Sequence, residues 1–478
     1  MEKEKRISPV YLLLCLASAG LFVLLAFRRG ASTDEAYALA MVRRSFADIW
    51  HISAAGSNPP LYYCAAKLFS MPFGYAEYAV RLFSGVCFLL ITAIGGWEIT
   101  RFWGKKMGLT FMVLFALYPF ALDHAAQAGA YALASLCVFL SALFAYRVWN
   151  SNMAGDWIGL GVFSILAAYS HHFALISAAA IYLLLFLCAL ICRRKLLKGW
   201  PITLAADILL YIPWMKHLIR QISGMEKVTV TLRGAAEGAA ALFHAGGNST
   251  FPLFLGALML LILLGVILRR RPAPLLAAAV CALTAGAGVI LSVLRADYLA
   301  PCAPLLAFLL AWGVCAIRRE VIFGGVMGFL LMGFAGNLVY GMLPAPAAEN
   351  EFGQAVAEAH TEAQAYVILT EDGSGITFQQ AAAYYLPEMP IYAEQMLEEA
   401  NPYSNIHPME EFSPEEWDTL LAVSDPGSRP IGGFPHGFQA TLIGTYQTEG
   451  EFFDLWLLQR EVQEDNQAES SRDDAPAE

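Results

Sequence analysis

The chain has 478 residues, of which 58% are hydrophobic and only 15% charged, and a mean hydropathy of +0.53; these values place it in the membrane class and outside the soluble globular one. Its net charge of −10 averages two unlike halves: residues 1–343 carry 27 Lys/Arg against 14 Asp/Glu, and residues 344–478 carry 26 Asp/Glu against Arg429, Arg460 and Arg472. So sharp a break marks a domain boundary, and an acidic tail domain argues against nucleic acid as a partner, because nothing basic faces the phosphates.

In chain order, a basic start (Met1–Arg6) precedes an apolar run from Pro9 to Phe27. That run is longer than the apolar core of a signal peptide, and no small-residue cleavage pattern follows before Arg28-Arg29, so it reads as an uncleaved first span. Counting it as 8–27, eleven runs approach the length of about 20 residues that crosses a bilayer. The others are 79–99, 108–123, 131–148, 157–173, 174–192, 201–215, 251–268, 273–293, 298–317 and 321–342. Threaded alternately, they bring Lys3/Lys5/Arg6, Arg101/Lys105/Lys106, Arg147, Arg193/Arg194/Lys195/Lys198, Arg269–Arg271 and Arg318/Arg319 to one side. Basic loops stay in the cytoplasm, so the N-terminus is expected inside the plasma membrane and the acidic C-terminal region outside.

The external side then holds a loop over 28–78, a loop over 216–250 and the C-terminal region. In that region Glu349–Ala363 has the pattern of an amphipathic helix and Ala365–Thr370 that of a strand, with a turn at Glu371–Gly375. Ser413-Pro414-Glu415-Glu416 has the form of a helix start, an N-cap followed by Pro at the first helical position. Strands are expected near 441–447 and 452–459, and the polar, acidic 461–478 is expected to be disordered. The expectation is an all-α polytopic membrane protein (1–342) with a small external α/β domain (343–460) and an acidic tail (461–478). All nine cysteines precede the acidic half, so that domain has no disulfide, and no Cys/His spacing suggests zinc. No cofactor is required by this reading, and a divalent cation is left open.

Few residues can carry chemistry. Asp34-Glu35 sits at a membrane boundary, where an ionised pair is costly to hold, and Asn58-Pro59-Pro60 follows in the same loop. Asp123-His124 closes the outer end of a span, either as part of a site or as a helix terminator. Neighbouring histidines on a helix project about 100° apart, so His171 and His172 cannot both point inward; they would bind phosphate or a metal, or anchor at the interface. Arg81 and Arg295 begin spans on the outside, suited to bidentate phosphate binding or to snorkelling into headgroups. Lys216 and Arg220 fit headgroup contacts better. Asp207 and Glu98 lie in or near apolar runs without a visible partner. Tyr62, Tyr63 and Tyr131 could stack on a sugar or belong to the core.

The order of these features carries a resemblance. Asp34-Glu35-Ala-Tyr37, then Asn58-Pro-Pro-Leu-Tyr-Tyr63, then Arg81-Leu-Phe-Ser84 open the series. Tyr118-Pro-Phe120 with Tyr131-Ala-Leu133, Tyr169-Ser-His-His-Phe173 and Tyr211-Ile-Pro-Trp214 continue it, with a weaker echo at Arg295-Ala-Asp-Tyr298-Leu-Ala-Pro301. On this topology the chain resembles membrane glycosyltransferases of the GT-C fold, nearest to glycosyltransferase family 39, which includes protein O-mannosyltransferases and bacterial aminoarabinose-type lipid A transferases. The resemblance implies a polyprenyl-phosphate-linked sugar donor and an acceptor (lipid, glycan or protein) on the outer face. It places a catalytic base at Asp34, with Glu35 beside it. Asn58, Arg81, Asp123, His124, Gln127, Tyr131, His171, His172, Arg295 and Tyr298 are the corresponding candidates for substrate binding. The chain departs from the family where relatives carry an acid and an arginine before the tyrosine: here Gln127-Ala128-Gly129-Ala130 precedes Tyr131. Some relatives also have a lysine where Asn58 stands. Rival readings are a lipid-linked sugar flippase, which would use the same basic residues without making a bond, and a non-catalytic relative.

Overall fold

A computed structural model describes residues 9–27, 33–56, 58–224, 261–262, 265, 271–291, 297–342, 363–369, 383, 388–393, 402–424, 437–448 and 451–460. The chain divides into two compact units, Met1–Ala345 and Pro346–Glu478.

The first unit is helical. Helix α1 (Pro9–Ala26) is followed by three short helices, α2 (Thr33–Arg43), α3 (Phe46–Ala55) and α4 (Leu61–Ser70), before the long α5 (Glu77–Trp103). Then come α6 (Lys105–Leu117), α7 (Pro119–Ala125), α8 (Tyr131–Ser151), α9 (Ala154–Ser170), α10 (His172–Cys192) and α11 (Gly199–Gly224). After the 225–260 region, α12 (Pro272–Ile290), a 3₁₀ segment (Asp297–Cys302), α13 (Ala303–Ala316) and α14 (Glu320–Met342) complete the unit. Among the described residues seven helices are long and apolar enough to cross a membrane, and the bent pair α6–α7 makes an eighth. The apolar runs expected from the sequence fall on these helices, on the shorter α9 and on α14; the run at 251–268 lies largely outside the described residues.

Local chemistry explains the breaks. Pro119 cannot donate a backbone hydrogen bond into the preceding turn, and the chain bends by 60° between α6 and α7. Helices α5 and α6 pack closely because Gly108 has no side chain: a Cβ there would sit 2.6 Å from the Gly96 carbonyl oxygen. Short α3 starts with a capping box, in which Ser45 Oγ accepts from the Asp48 N–H at 3.1 Å and the Asp48 carboxylate accepts from the Ser45 N–H at 3.3 Å.

The charges sort to the two ends of the bundle. At one end Arg147 Nε lies 2.8 Å from Asp156 Oδ1, Arg147 and Arg101 flank Glu98 at 3.8 and 3.7 Å, and Lys106 meets Glu320 at 3.0 Å. Glu98 therefore has its partners in the basic end of the bundle. Asp207 has one too, since Tyr182 Oη donates to its carboxylate at 2.7 Å, joining α10 to α11. At the other end α1, α2 and α5 meet around Arg81. Arg220, exposed near the end of α11, also has a protein partner: its guanidinium donates to the Ala54 carbonyl, and the adjacent Gln221 Nε2 donates to Ser53 O and Gly56 O, both at 2.8 Å. These donors satisfy carbonyls that the end of α3 leaves without helical partners.

The second unit holds a six-stranded sheet: β1 (Ala365–Leu369), β2 (Ile391–Ala393), β3 (Ile406–Pro408), β4 (Thr419–Ser424), β5 (Phe438–Thr448) and β6 (Glu451–Arg460). Its order is β3-β2-β1-β4-β6-β5; the first four strands run parallel, and β6 pairs antiparallel with β4 and β5. The strands expected at 365–370, 441–447 and 452–459 are present. The helix start at Ser413 is instead one 3₁₀ turn, Pro414–Glu416, because the chain must enter β4 at Thr419. The amphipathic pattern at 349–363 and the turn at 371–375 fall almost wholly outside the described residues.

Candidate active site

The acidic pair opens α2, and its two members are not equivalent. Of Asp34 only the backbone is described, as the second residue of the helix. Glu35 is 2% exposed and enclosed by donors. Arg81 Nε reaches its Oε1 at 2.9 Å and Nη2 its Oε2 at 3.5 Å, and the Ala128 N–H donates to Oε1 at 2.8 Å. Arg81 is itself shared: its Nη2 lies 2.5 Å from Glu77 Oε1, and Nη1 donates to the Ala26 carbonyl at 3.4 Å. A bidentate guanidinium is the donor best matched to a buried carboxylate. One buried node therefore ties α2 to the end of α1, the start of α5 and the 126–130 turn. Arg81, expected to face a phosphate or the headgroups, is bound to two carboxylates of the protein.

The 126–130 turn leads to a second group. His124, at the end of α7, packs 4.7 Å from the Tyr131 ring at the start of α8. Tyr131 lies 5.1 Å from His171, and His171 lies 5.9 Å from Tyr298 in the 3₁₀ segment before α13. Phe120 and Phe173 close the two ends of this row, 4.5 Å from His124 and 5.0 Å from Tyr298. Asp123 accepts from Gln127 Nε2 at 3.5 Å.

The geometry of the histidine pair corrects the helical expectation. His171 is not in a helix: it links α9 to α10 with φ −161° and ψ 143°, and its Nδ1 accepts from the Phe173 N–H at 3.2 Å. Because the chain is extended there, His171 and His172 are both buried instead of splitting between core and surface. Among the described residues no three His, Cys, Asp or Glu side chains form a metal-binding group.

Asn58 is half-buried in the turn before α4. Behind it Tyr62 is fully buried, with its hydroxyl 3.3 Å from Ser84 Oγ on α5, and burial pushes the phenol well above its ordinary range. Tyr62 therefore stays a neutral hydroxyl. Arg295 lies outside the described residues. The structure thus groups Glu35 with Arg81, and His124, Tyr131, His171, His172 and Tyr298 with one another, while Gln127 bonds to Asp123.

Sequence reasoning missed three contributors. Glu77 was recoverable, since an acid four residues before Arg81 is a standard helical ion pair. The Ala128 N–H was not, because a backbone amide has no residue-type signature. Lys67 had nothing to single it out within the 28–78 loop; it is buried and donates to the Val42 carbonyl at 3.1 Å, at the end of α2.

Residues 57–217 match a protein family described as dolichyl-phosphate-mannose-protein mannosyltransferase. No curated protein sequence matches significantly. Two crystal structures of ArnT from Cupriavidus metallidurans are similar over nearly the whole chain. The one bound to undecaprenyl phosphate has a TM-score of 0.63 at 11% identity, covering 94% of this chain and 98% of that one. The apo form has a TM-score of 0.63 at 12% identity, covering 93% and 97%. With this likeness and its series of apolar helices, the chain is a multi-pass membrane protein of the GT-C glycosyltransferase fold, similar to the protein mannosyltransferases and to ArnT.

Proposed function

We propose that the protein transfers a sugar from a polyprenyl-phosphate-linked donor to an acceptor hydroxyl on the outer face of the cell membrane. The carrying observation is the Glu35–Arg81–Glu77 node, which fixes the first turn of α2 and so the position of Asp34. In this reading Asp34 is the general base that takes the acceptor's proton as its oxygen attacks the anomeric carbon. The leaving group is a phosphate, already a stable anion, so no general acid is needed; donors that hold the phosphate lower the barrier instead. His124, Tyr131, His171, His172 and Tyr298 are proposed to line the donor side, where relatives use an acid and an arginine before the tyrosine. Arg295 is proposed as a phosphate contact and Asn58 as a contact near Asp34. Glu35 and Arg81 act as positioning residues, which revises their expected part in chemistry and in phosphate binding.

Purified protein incubated with a panel of polyprenyl-phosphate sugars is expected to release polyprenyl phosphate from one donor, faster when an acceptor is added. Movement of intact donor across vesicle membranes without any release of polyprenyl phosphate would favour the flippase reading. A protein that binds donor and neither releases nor moves it would be a non-catalytic relative.

A further inference from the structure

Helix α3 lies against α11 along a seam where aromatic rings and polar atoms alternate. Trp50 of α3 meets Trp214 edge-on at 4.9 Å and lies 6.5 Å from Tyr169 at the end of α9. Tyr169 packs 5.1 Å from Tyr211, and Trp214 packs 5.1 Å from His217. Tyr211, Trp214 and Gln221 follow one another at helical spacing on α11, and Ser53 lies one turn beyond Trp50 on α3.

Four polar atoms along this seam have no hydrogen-bond partner: Trp214 Nε1, Tyr211 Oη, Ser53 Oγ and Gln221 Oε1. The residues are 0%, 4%, 1% and 6% exposed. Native interiors leave few such atoms, and each one calls for an occupant or a bound water. None of the four bonds to another, so the seam is not wired to itself. Its chemistry is also neutral and two-sided. An anion would be repelled by the Gln221 carbonyl oxygen, and an acyl chain would leave all four atoms unmatched. A sugar ring presents hydroxyls that both donate and accept, and C–H faces that pack on the electron-rich faces of aromatic rings.

We infer that the seam between α3 and α11 is a saccharide subsite, and that it holds the glycan part of the acceptor. Admitting a saccharide requires α3 to move away from α11, to which it is held through the Gln221 and Arg220 hydrogen bonds to its last carbonyls. Tyr169 stands two residues before His171, so a saccharide lying along the seam ends beside the Tyr131–His171–Tyr298 row. The acceptor role rests on the transferase reading; saccharide binding at the seam does not.

The test uses the full chain in a detergent without sugar headgroups, with saturation-transfer NMR to chitotetraose, mannotetraose and a Ser/Thr-containing hexapeptide. Tyr211→Phe and Trp214→Phe keep an aromatic ring and remove the O–H or N–H, and Ser53→Ala serves as a third variant should either Phe variant lose its thermal transition. Saturation transfer to at least one tetrasaccharide is expected, with its Kd raised tenfold or more in each variant while the thermal midpoint stays level or rises. Absence of tetrasaccharide binding, binding of the peptide alone, or variants that bind as tightly as the parent would overturn the inference, and ordered water would then be the seam's occupant. Asp34→Asn is expected to bind the saccharide like the parent; a parent chain that binds saccharide but releases no polyprenyl phosphate from any donor sinks the transferase reading and leaves the subsite standing.

Discussion

Asp34 and Glu35 are adjacent carboxylates in different circumstances, and the difference comes from Arg81. Glu35 is 2% exposed and Arg81 3%, so each charge is tolerable only because the other is there. Arg81→Leu would leave Glu35 buried with one neutral N–H donor from Ala128 among the contacts described above. Losing one partner of a buried ion pair costs about 3–5 kcal/mol. Equilibrium or thermal unfolding of purified Arg81→Leu is expected to show a loss of that size, and Glu35→Gln a smaller one, because the amide oxygen still accepts from Ala128. A loss under about 1 kcal/mol for Arg81→Leu would mean that the node does not hold α2. The sequence made the pair visible as acids at a membrane boundary but could not rank its members. That ranking depends on Arg81, 46 residues away, and on a backbone N–H that any residue would supply.

At the scale of elements, the apolar runs were legible because spanning the bilayer demands length and hydrophobicity that nothing else in the chain mimics. Breaks inside runs were harder to see. The His171 junction looked like helix because it lies where the apolar runs 157–173 and 174–192 meet, with no Gly or Pro among 169–173 to mark a break; the extended backbone at His171 sits among the rings of Tyr131, Phe173 and Tyr298. Strand β4 went unnoticed behind the helix-start pattern at Ser413, since a cap followed by proline also suits a single 3₁₀ turn. The short α3 offers a direct check on local chemistry. The Ser45 hydroxyl holds the Asp48 carboxylate below its ordinary range, helped by the Ser45 N–H and by Arg44 and His51. A depressed carboxylate contributes stability above its unfolded pKa, and that stability is lost as pH falls through the folded value. Ser45→Ala removes the N-cap, at a cost of about 1 kcal/mol at neutral pH. The gap between parent and variant should narrow as the medium is acidified below the carboxylate range. Unfolding measured across that interval checks this, and a gap independent of pH would remove the Ser45–Asp48 carboxylate bonds as a contributor, leaving the Asp48 N–H bond to Ser45 Oγ as its cause.

The whole molecule joins a helical unit whose charges sort to opposite ends with a second unit built on a parallel sheet carrying an antiparallel hairpin. Basic residues at the Arg147 end and the acidic pair at the other end predict that 343–478 lies outside the cytoplasm. A reporter active only in the external compartment, fused after residue 345, is expected to be active, and a cytoplasmic reporter there silent; the reverse pattern would put the proposed site on the wrong face. The charge break and the β-strand patterns made the second unit legible, whereas its parallel order β3-β2-β1-β4 was not, because register among short strands is decided by packing across the sheet. The account as a whole turns on Asp34. Asp34→Asn keeps the size of the side chain and removes its proton affinity, a loss of general-base catalysis worth about 10²–10⁴-fold in rate. Transfer rate and donor affinity measured together on parent and Asp34→Asn test this most directly. The account predicts transfer lowered by two to four orders of magnitude with donor affinity within about threefold of the parent; an Asp34→Asn protein that transfers sugar at the parental rate would contradict it.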